Sequence, residues 1–191
     1  MTEQRPDAAA IAGFLARLGR LDPGGLAQLR RAAGQSLAEA RGGYSVFFTL
    51  LPTAIERPRE QERYFLVATL YALTTRGGEH ARQRDGVSLG SALGRVRQAQ
   101  LAATGQRPDA RISLDRRFAA LCDADAEQLP FRLRQIVRLL HAQGQVLDWE
   151  RLLRDLAAWE HADHYVQRRW MREYYIGKPD AQSTVTKEQT P

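Results

Sequence analysis

The stretch FRLRQIVRLL, residues 131–140, decides how this chain folds. An α-helix turns about 100° per residue. Leu133, Ile136, Val137 and Leu140 therefore align on one stripe, while Arg134, Arg138 and His141 lie together on another face. The apolar stripe has the spacing of a helix packed against a core. Three arginines sit in the run with no acidic residue to balance them. They form either a solvated face or a surface that holds something negatively charged.

The same periodicity extends outward in both directions. Towards the C-terminus, Trp149, Leu152, Leu153, Leu156 and Trp159 follow helical spacing, as do Val166, Trp170 and Tyr174, and all read as core. Asp148 is placed to cap the helix that carries the first group. The last helix is expected from about Ala162 to Tyr175, and GKPDAQSTVTKEQTP, with almost no apolar content, is expected to be a disordered tail. Towards the N-terminus, SLDRRFAAL reads as a short helix, and TGQRPDAR, 104–111, as a linker between two lobes. Ser88 is an N-cap for the helix LGSALGRVRQAQLAA. RGGEHARQRDGV, 76–87, is the most loop-like internal stretch. A long helix runs from about Pro58 through YFLVATLYAL, and RGGYSVFFTLLP holds a compact apolar run ended by Pro52. DPGG at 22–25 breaks a first helix whose buried face is Ile11, Phe14, Leu15 and Leu18. Strict apolar–polar alternation barely occurs and β-branched residues are sparse, so strands are not expected.

The fold class that follows is all-α, with two packed helical bundles joined by a short linker. The expected boundaries are 1–103 for an N-terminal lobe, 104–111 for the linker, 112–176 for a C-terminal bundle and 177–191 for the tail. A chain of 191 residues with 43% hydrophobic content can bury a real core. No apolar run approaches the roughly 20 residues that span a bilayer. The N-terminal stretch reads as an amphipathic helix rather than a signal peptide. A single cysteine, Cys122, allows no internal disulfide. The expected location is the cytoplasm, with no membrane partner.

Composition points to polyanionic partners, because the formal net charge is +6 and the isoelectric point near 10.0. Of the 28 basic residues 26 are arginine, and both lysines, Lys178 and Lys187, lie in the tail. Such a bias is common in GC-rich genomes, yet codon usage does not remove Asp and Glu, so the net charge stands.

Patterns for catalysis, metals and cofactors are missing. EHADH, 160–164, puts His161 and His164 three apart, where a zincin-type site needs them four apart with a Glu between. It reads as polar residues at a helix junction, with His80 and His141 as remote histidines. Acidic neighbours at 123, 125 and 127 raise the thiol pKa of Cys122 rather than lower it. Asp123 and Asp125 sit before a helix, where they complement its N-terminal dipole. No G-x-S-x-G elbow, phosphate-cradling P-loop or G-x-G-x-x-G occurs. The expectation is a protein that is not an enzyme and takes no metal or cofactor.

The arginines remain. Arg30–Arg31, Arg116–Arg117 and Arg168–Arg169 form dyads on separate helices, and Arg95 and Arg97 share the helix that follows Ser88. Some arginines fit helical ion pairs, such as Arg154 with Glu150 at i, i+4. Arg134 and Arg138 have no acid three or four residues away, and Arg30 and Arg31 have none between Asp22 and Glu39. Unpaired cations on one side of a bundle attract a phosphate backbone.

The chain resembles the small subunit of the type I-E CRISPR surveillance complex Cascade, the CasB family. The likeness is carried by RRFAALCDADAEQLPFRLRQIVRLL and by LDWERLLRDLAAWEHADHYVQRRWMREYY, with Asp148–Trp149, Leu152–Leu153, Asp155–Leu156, Trp159, Val166, Trp170 and Tyr174–Tyr175 in order. LRRA at 29–32 and VSLGSALGRV at 87–96 fit more loosely, and the resemblance covers about residues 10 to 176. It implies a non-enzymatic, all-helical subunit present in two copies, contacting the repeated backbone subunits and the large subunit. Its basic face would steady the R-loop formed by crRNA and target DNA, above all the displaced single strand. Carried to this sequence, the nucleic-acid-binding residues are Arg30, Arg31, Arg116, Arg117, Arg134 and Arg138, with Arg95 and Arg97 as further candidates. Arg76, Arg82 and Arg84 in the 76–87 loop are additional strand contacts by charge alone.

Two other readings compete. A helix-turn-helix regulator would use SLGSALGRVRQ as recognition helix, but that motif needs a turn of about three or four residues. Here some fourteen residues follow the end of the preceding pattern near Leu73. In a helical adaptor, the arginines would meet acidic protein surfaces instead of phosphate.

Overall fold

The computed structural model describes residues 8–75 and 86–176. The first seven residues, 76–85 and the expected tail 177–191 lie outside the described residues, and with them Arg76, Arg82 and Arg84. Nine α-helices occur among the described residues. The first, α1 (Ala8–Gly19), buries Ile11, Phe14, Leu15 and Leu18, as their spacing requires. DPGG ends α1 but also opens α2 (Pro23–Arg31): Asp22 Oδ1 accepts from the Gly25 amide at 2.7 Å, and Pro23 takes the first helical position. A 3₁₀ turn, Arg41–Gly43, leads into α3 (Tyr44–Leu50), which Pro52 closes off.

The centre of the molecule is α4 (Pro58–Thr74), which buries every residue from Tyr64 to Ala72. A helix apolar all round must be surrounded, and α4 packs against α2, α7 (Leu129–Ala142) and α8 (Trp149–Ala157). The stripe of α7 is buried as expected, with Leu133, Val137 and Leu140 fully enclosed and Ile136 nearly so. On its other flank α7 carries α6 (Ser113–Cys122). One hydrophobic core takes residues from both sides of 104–111.

A second junction joins α5 (Leu89–Thr104) to α9 (Tyr165–Ile176). Gly90 and Gly94 make it possible. A Cβ on Gly90 would fall 2.7 Å from the Trp170 carbonyl oxygen, and one on Gly94 would fall 3.0 Å from the Glu173 and Tyr174 carbonyls. Small residues one turn apart thus let two backbones touch. Ser88 caps α5 by accepting from the Ser91 amide, and Asp148 caps α8 by accepting from the Arg151 amide. The segments entering these two helices meet at an isolated parallel bridge between Val87 and Leu147, and no strand occurs among the described residues. The last helix begins at Tyr165 rather than near Ala162, because residues 160–164 turn first and His164 takes a left-handed φ of +47°. No helix among the described residues is long and apolar enough to cross a membrane.

Candidate nucleic-acid interface

The eight arginines singled out in the sequence divide into three structural kinds. Arg31, Arg95, Arg116, Arg117 and Arg138 are exposed, and none makes an ion pair or side-chain hydrogen bond among the described residues. Acids elsewhere are taken up by other partners: Glu150 by Arg154, Glu160 by Arg59 and Arg63, Glu60 by Arg57, Glu173 by Arg151.

Arg97 is the second kind, and its assignment to a nucleic-acid surface is corrected by its burial. It is 6% exposed. Its Nε donates to Asp115 Oδ1 at 2.9 Å, Nη1 to the Pro108 carbonyl at 2.9 Å and Nη2 to the Ala110 carbonyl at 3.0 Å. The guanidinium also lies 5.7 and 5.3 Å from the ring centres of Tyr174 and Tyr175. The fork is used up in tying α5 to α6, α9 and the 104–111 segment. Asp115 accepts further from Tyr174 Oη at 2.7 Å and from the Ile112 amide at 2.8 Å. Burial pushes the Asp115 carboxyl up, but these hydrogen bonds and the Arg97 charge outweigh it and hold the group below its ordinary value.

Arg30 is partly spent in the same way. Its Nε donates to the Ala72 carbonyl and its Nη2 to the Thr75 carbonyl, both at 2.8 Å, so it caps the C-terminal end of α4. Of the Arg168–Arg169 dyad, Arg169 pairs with buried Asp155, which also accepts from Trp170 Nε1 at 2.6 Å, while Arg168 is exposed. Burial dominates at Asp155 and raises its carboxyl despite both partners.

Arg134 is the third kind, half-buried and without an ion pair among the described residues. Its stem lies over Gly34, where a Cβ would fall 2.7 Å from Arg134 Cδ, and Gly34 adopts a φ of +88°. Glycine serves there for both reasons. That contact sets the turn following α2 against Arg134 of α7. No described contact ties Arg95, Arg116 or Arg117 to this place.

The remaining chemistry is quiet. Cys122 has its thiol pushed up to about 12, by burial first and by Asp123 second. Asp125 accepts from the Gln128 amide at the entry to α7. His161 stands 3.7 Å from Asp163, and no group of three or more metal-ligating side chains occurs among the described residues. As a recognition helix, α5 is poorly free: eight of its sixteen residues are buried, and residues 75–88 separate it from α4.

Residues 25–175 match the family model CRISPR_Cse2, CRISPR-associated protein Cse2. The curated CRISPR-associated protein Cse2 of Thermus thermophilus is 39% identical over 119 residues, which are 62% of this chain and 59% of that protein. The match therefore spans about three fifths of that relative's length. The crystal structure of a Cse2-family CRISPR-associated protein from Thermus thermophilus has a TM-score of 0.70 at 30% identity, covering 91% of this chain and 99% of that one. M. ruber CasB has a TM-score of 0.63 at 34% identity, covering 85% and 90%. A chain of a CRISPR RNA-guided surveillance complex shares the fold, with a TM-score of 0.68 at 22% identity over 89% of this chain and 94% of that one.

Proposed function

We propose that the chain, which belongs to the Cse2 family of CRISPR-associated proteins, is a non-catalytic subunit of an RNA-guided surveillance complex of the Cascade type. In that role its free arginines hold nucleic-acid backbone and steady the R-loop, chiefly the displaced strand. The observation that carries this reading is the set Arg31, Arg95, Arg116, Arg117 and Arg138: exposed, cationic and without an acidic partner among the described residues. Arg134 joins them on α7, and Arg97 leaves the set.

Guide pairing supplies sequence choice, and R-loop formation is nearly balanced in energy, so contacts to backbone tip it. Such contacts need positive charge and no reading of base edges. Arginine suits the task because its planar fork pairs with phosphate oxygens and stacks on bases. A second copy of the chain, the repeated backbone subunits and the large subunit are the proposed protein partners.

The test is R-loop lifetime in the assembled complex, with the double variant Arg134→Glu, Arg138→Glu against wild type. A shortened lifetime with an unchanged melting temperature of the free subunit supports the reading. An unchanged lifetime overturns the assignment of this face. Sequence-specific duplex binding by the purified chain would instead favour a regulator.

A further inference from the structure

We propose that Phe131 is a stacking platform for an unpaired base of the strand whose phosphates Arg134 and Arg138 hold; this rests on the nucleic-acid reading and names the atoms that distinguish a single strand from a duplex. The exposure of the side chain is the first observation. Phe131 is 53% exposed, whereas Phe14, Phe47, Phe65 and Phe118 are fully buried. Phe48 is comparably open, but its ring packs against Tyr44 and Phe47. Phe131 has no aromatic partner among the described residues.

Its position is the second. Residues 131, 134 and 138 stand at i, i+3 and i+7, so the ring and the two guanidinium groups share one stripe of α7, opposite the buried stripe. Pro130 occupies the first turn of α7 just before it, and the ring stands on a helix rather than a loop. The third observation is how Arg134 is held. Its stem packs on Gly34 and its Nε is buried without a hydrogen-bond partner, so packing aims the head group while no carboxylate neutralises it. The neighbouring groove, lined by Gly34, Glu39, Glu62, Glu127 and Glu160 together with Arg59 and Arg63, is a separate feature, and neither Phe131, Arg134 nor Arg138 lines it.

A flat apolar ring with two cations following it along one helix stripe suits a single strand: the ring takes a base face and the cations take phosphates farther along the same strand. Stacking on an aromatic ring tolerates any base and needs that base unpaired. A protein partner with an acidic rim and an apolar centre is the competing occupant.

The experiment uses the purified full chain and two probes, single-stranded oligo-dT and an abasic oligonucleotide of the same length, each titrated across a salt series. Wild type should prefer oligo-dT. Phe131→Ala should lose about tenfold on oligo-dT, converge with the abasic probe and keep the wild-type salt slope, while Phe131→Trp restores the preference. Arg138→Gln should instead reduce the salt slope by about 0.7 on both probes. An unchanged dT-to-abasic ratio in Phe131→Ala, with the salt slope intact, overturns the stacking site alone and points to a protein occupant. Absence of salt-dependent binding by wild type to either probe overturns the nucleic-acid reading and the stacking site together.

Discussion

Arg97 and Arg138 look alike in the sequence and lead different lives in the fold. Both sit on helices, both follow a buried residue, Val96 and Val137, and neither has an acid three or four residues away. Arg138 is exposed and has no partner among the described residues, while Arg97 is enclosed by Asp115, two backbone carbonyls and two tyrosine rings. The difference is the surface each helix packs against. The outer face of α7 is left open at Arg138, whereas α5 is drawn onto α9 by Gly90 and Gly94 and its arginine is carried inside. A cation's role is set across the interface and not along its own helix. The same positive charge is structural in the α5–α6–α9 clasp and available for binding on the α7 edge.

This contrast can be broken most sharply at Asp115. Asp115→Ala would leave Arg97 buried without its counter-ion, a loss of about 3–5 kcal/mol. Urea denaturation reads it, and a variant within about 1 kcal/mol of wild type would refute a structural role for the pair. Next in size is the close approach that encloses Arg97. Gly90→Val must push against the Trp170 backbone, with an expected cost of about 1–3 kcal/mol in the same assay. A neutral outcome would mean that α5 and α9 can part without loss.

Acid sensitivity is a finer probe of the clasp. The Asp115 carboxyl is held below its ordinary 3.8, so its contribution is present above that value and is lost as pH falls through the lower folded-state value. The stability advantage of wild type over Asp115→Asn should shrink as pH drops below 3.8. Asp155, raised by burial, has the opposite sign: wild type gains on Asp155→Asn as pH falls through the raised value. Parallel pH profiles for the two variants would contradict one of the two assignments, and the shared sign would say which. The smallest expected effect on stability belongs to the other region. Arg138→Ala should change unfolding free energy by less than about 0.5 kcal/mol, while weakening single-strand binding at low salt. A large stability loss there would show that Arg138 has a partner within the fold.

Much of the architecture was legible because helices announce themselves locally. The i, i+3, i+4 stripes in FRLRQIVRLL and IAGFLARL pointed to the buried faces, and Ser88 and Asp148 marked helix starts through their own side chains. DPGG reads as a breaker, and the structure adds that Asp22 and Pro23 also begin the next helix. The late start of α9 was harder to see, because EHADH has helix-compatible residues and only the left-handed backbone at His164 interrupts it. Phe131 was missed as a surface residue because an aromatic within an apolar run reads as core. Its phase supplied a signal: it lies on the Arg134 and Arg138 side of the helical wheel, away from Leu133 and Ile136.

The sequence by itself determined the helices, their caps, the apolar stripes and the surplus of positive charge, since all of these depend on neighbours within about four residues or on composition. Tertiary structure alone decided which cations are free. Arg97 finds Asp115 eighteen residues away, and Arg30 finds the Ala72 carbonyl forty-two residues away. The turn following α2 meets Arg134 at Gly34, a hundred residues earlier in the chain. Ion pairing and burial act through space at a few ångströms, whereas sequence periodicity reports only the angle around one helix.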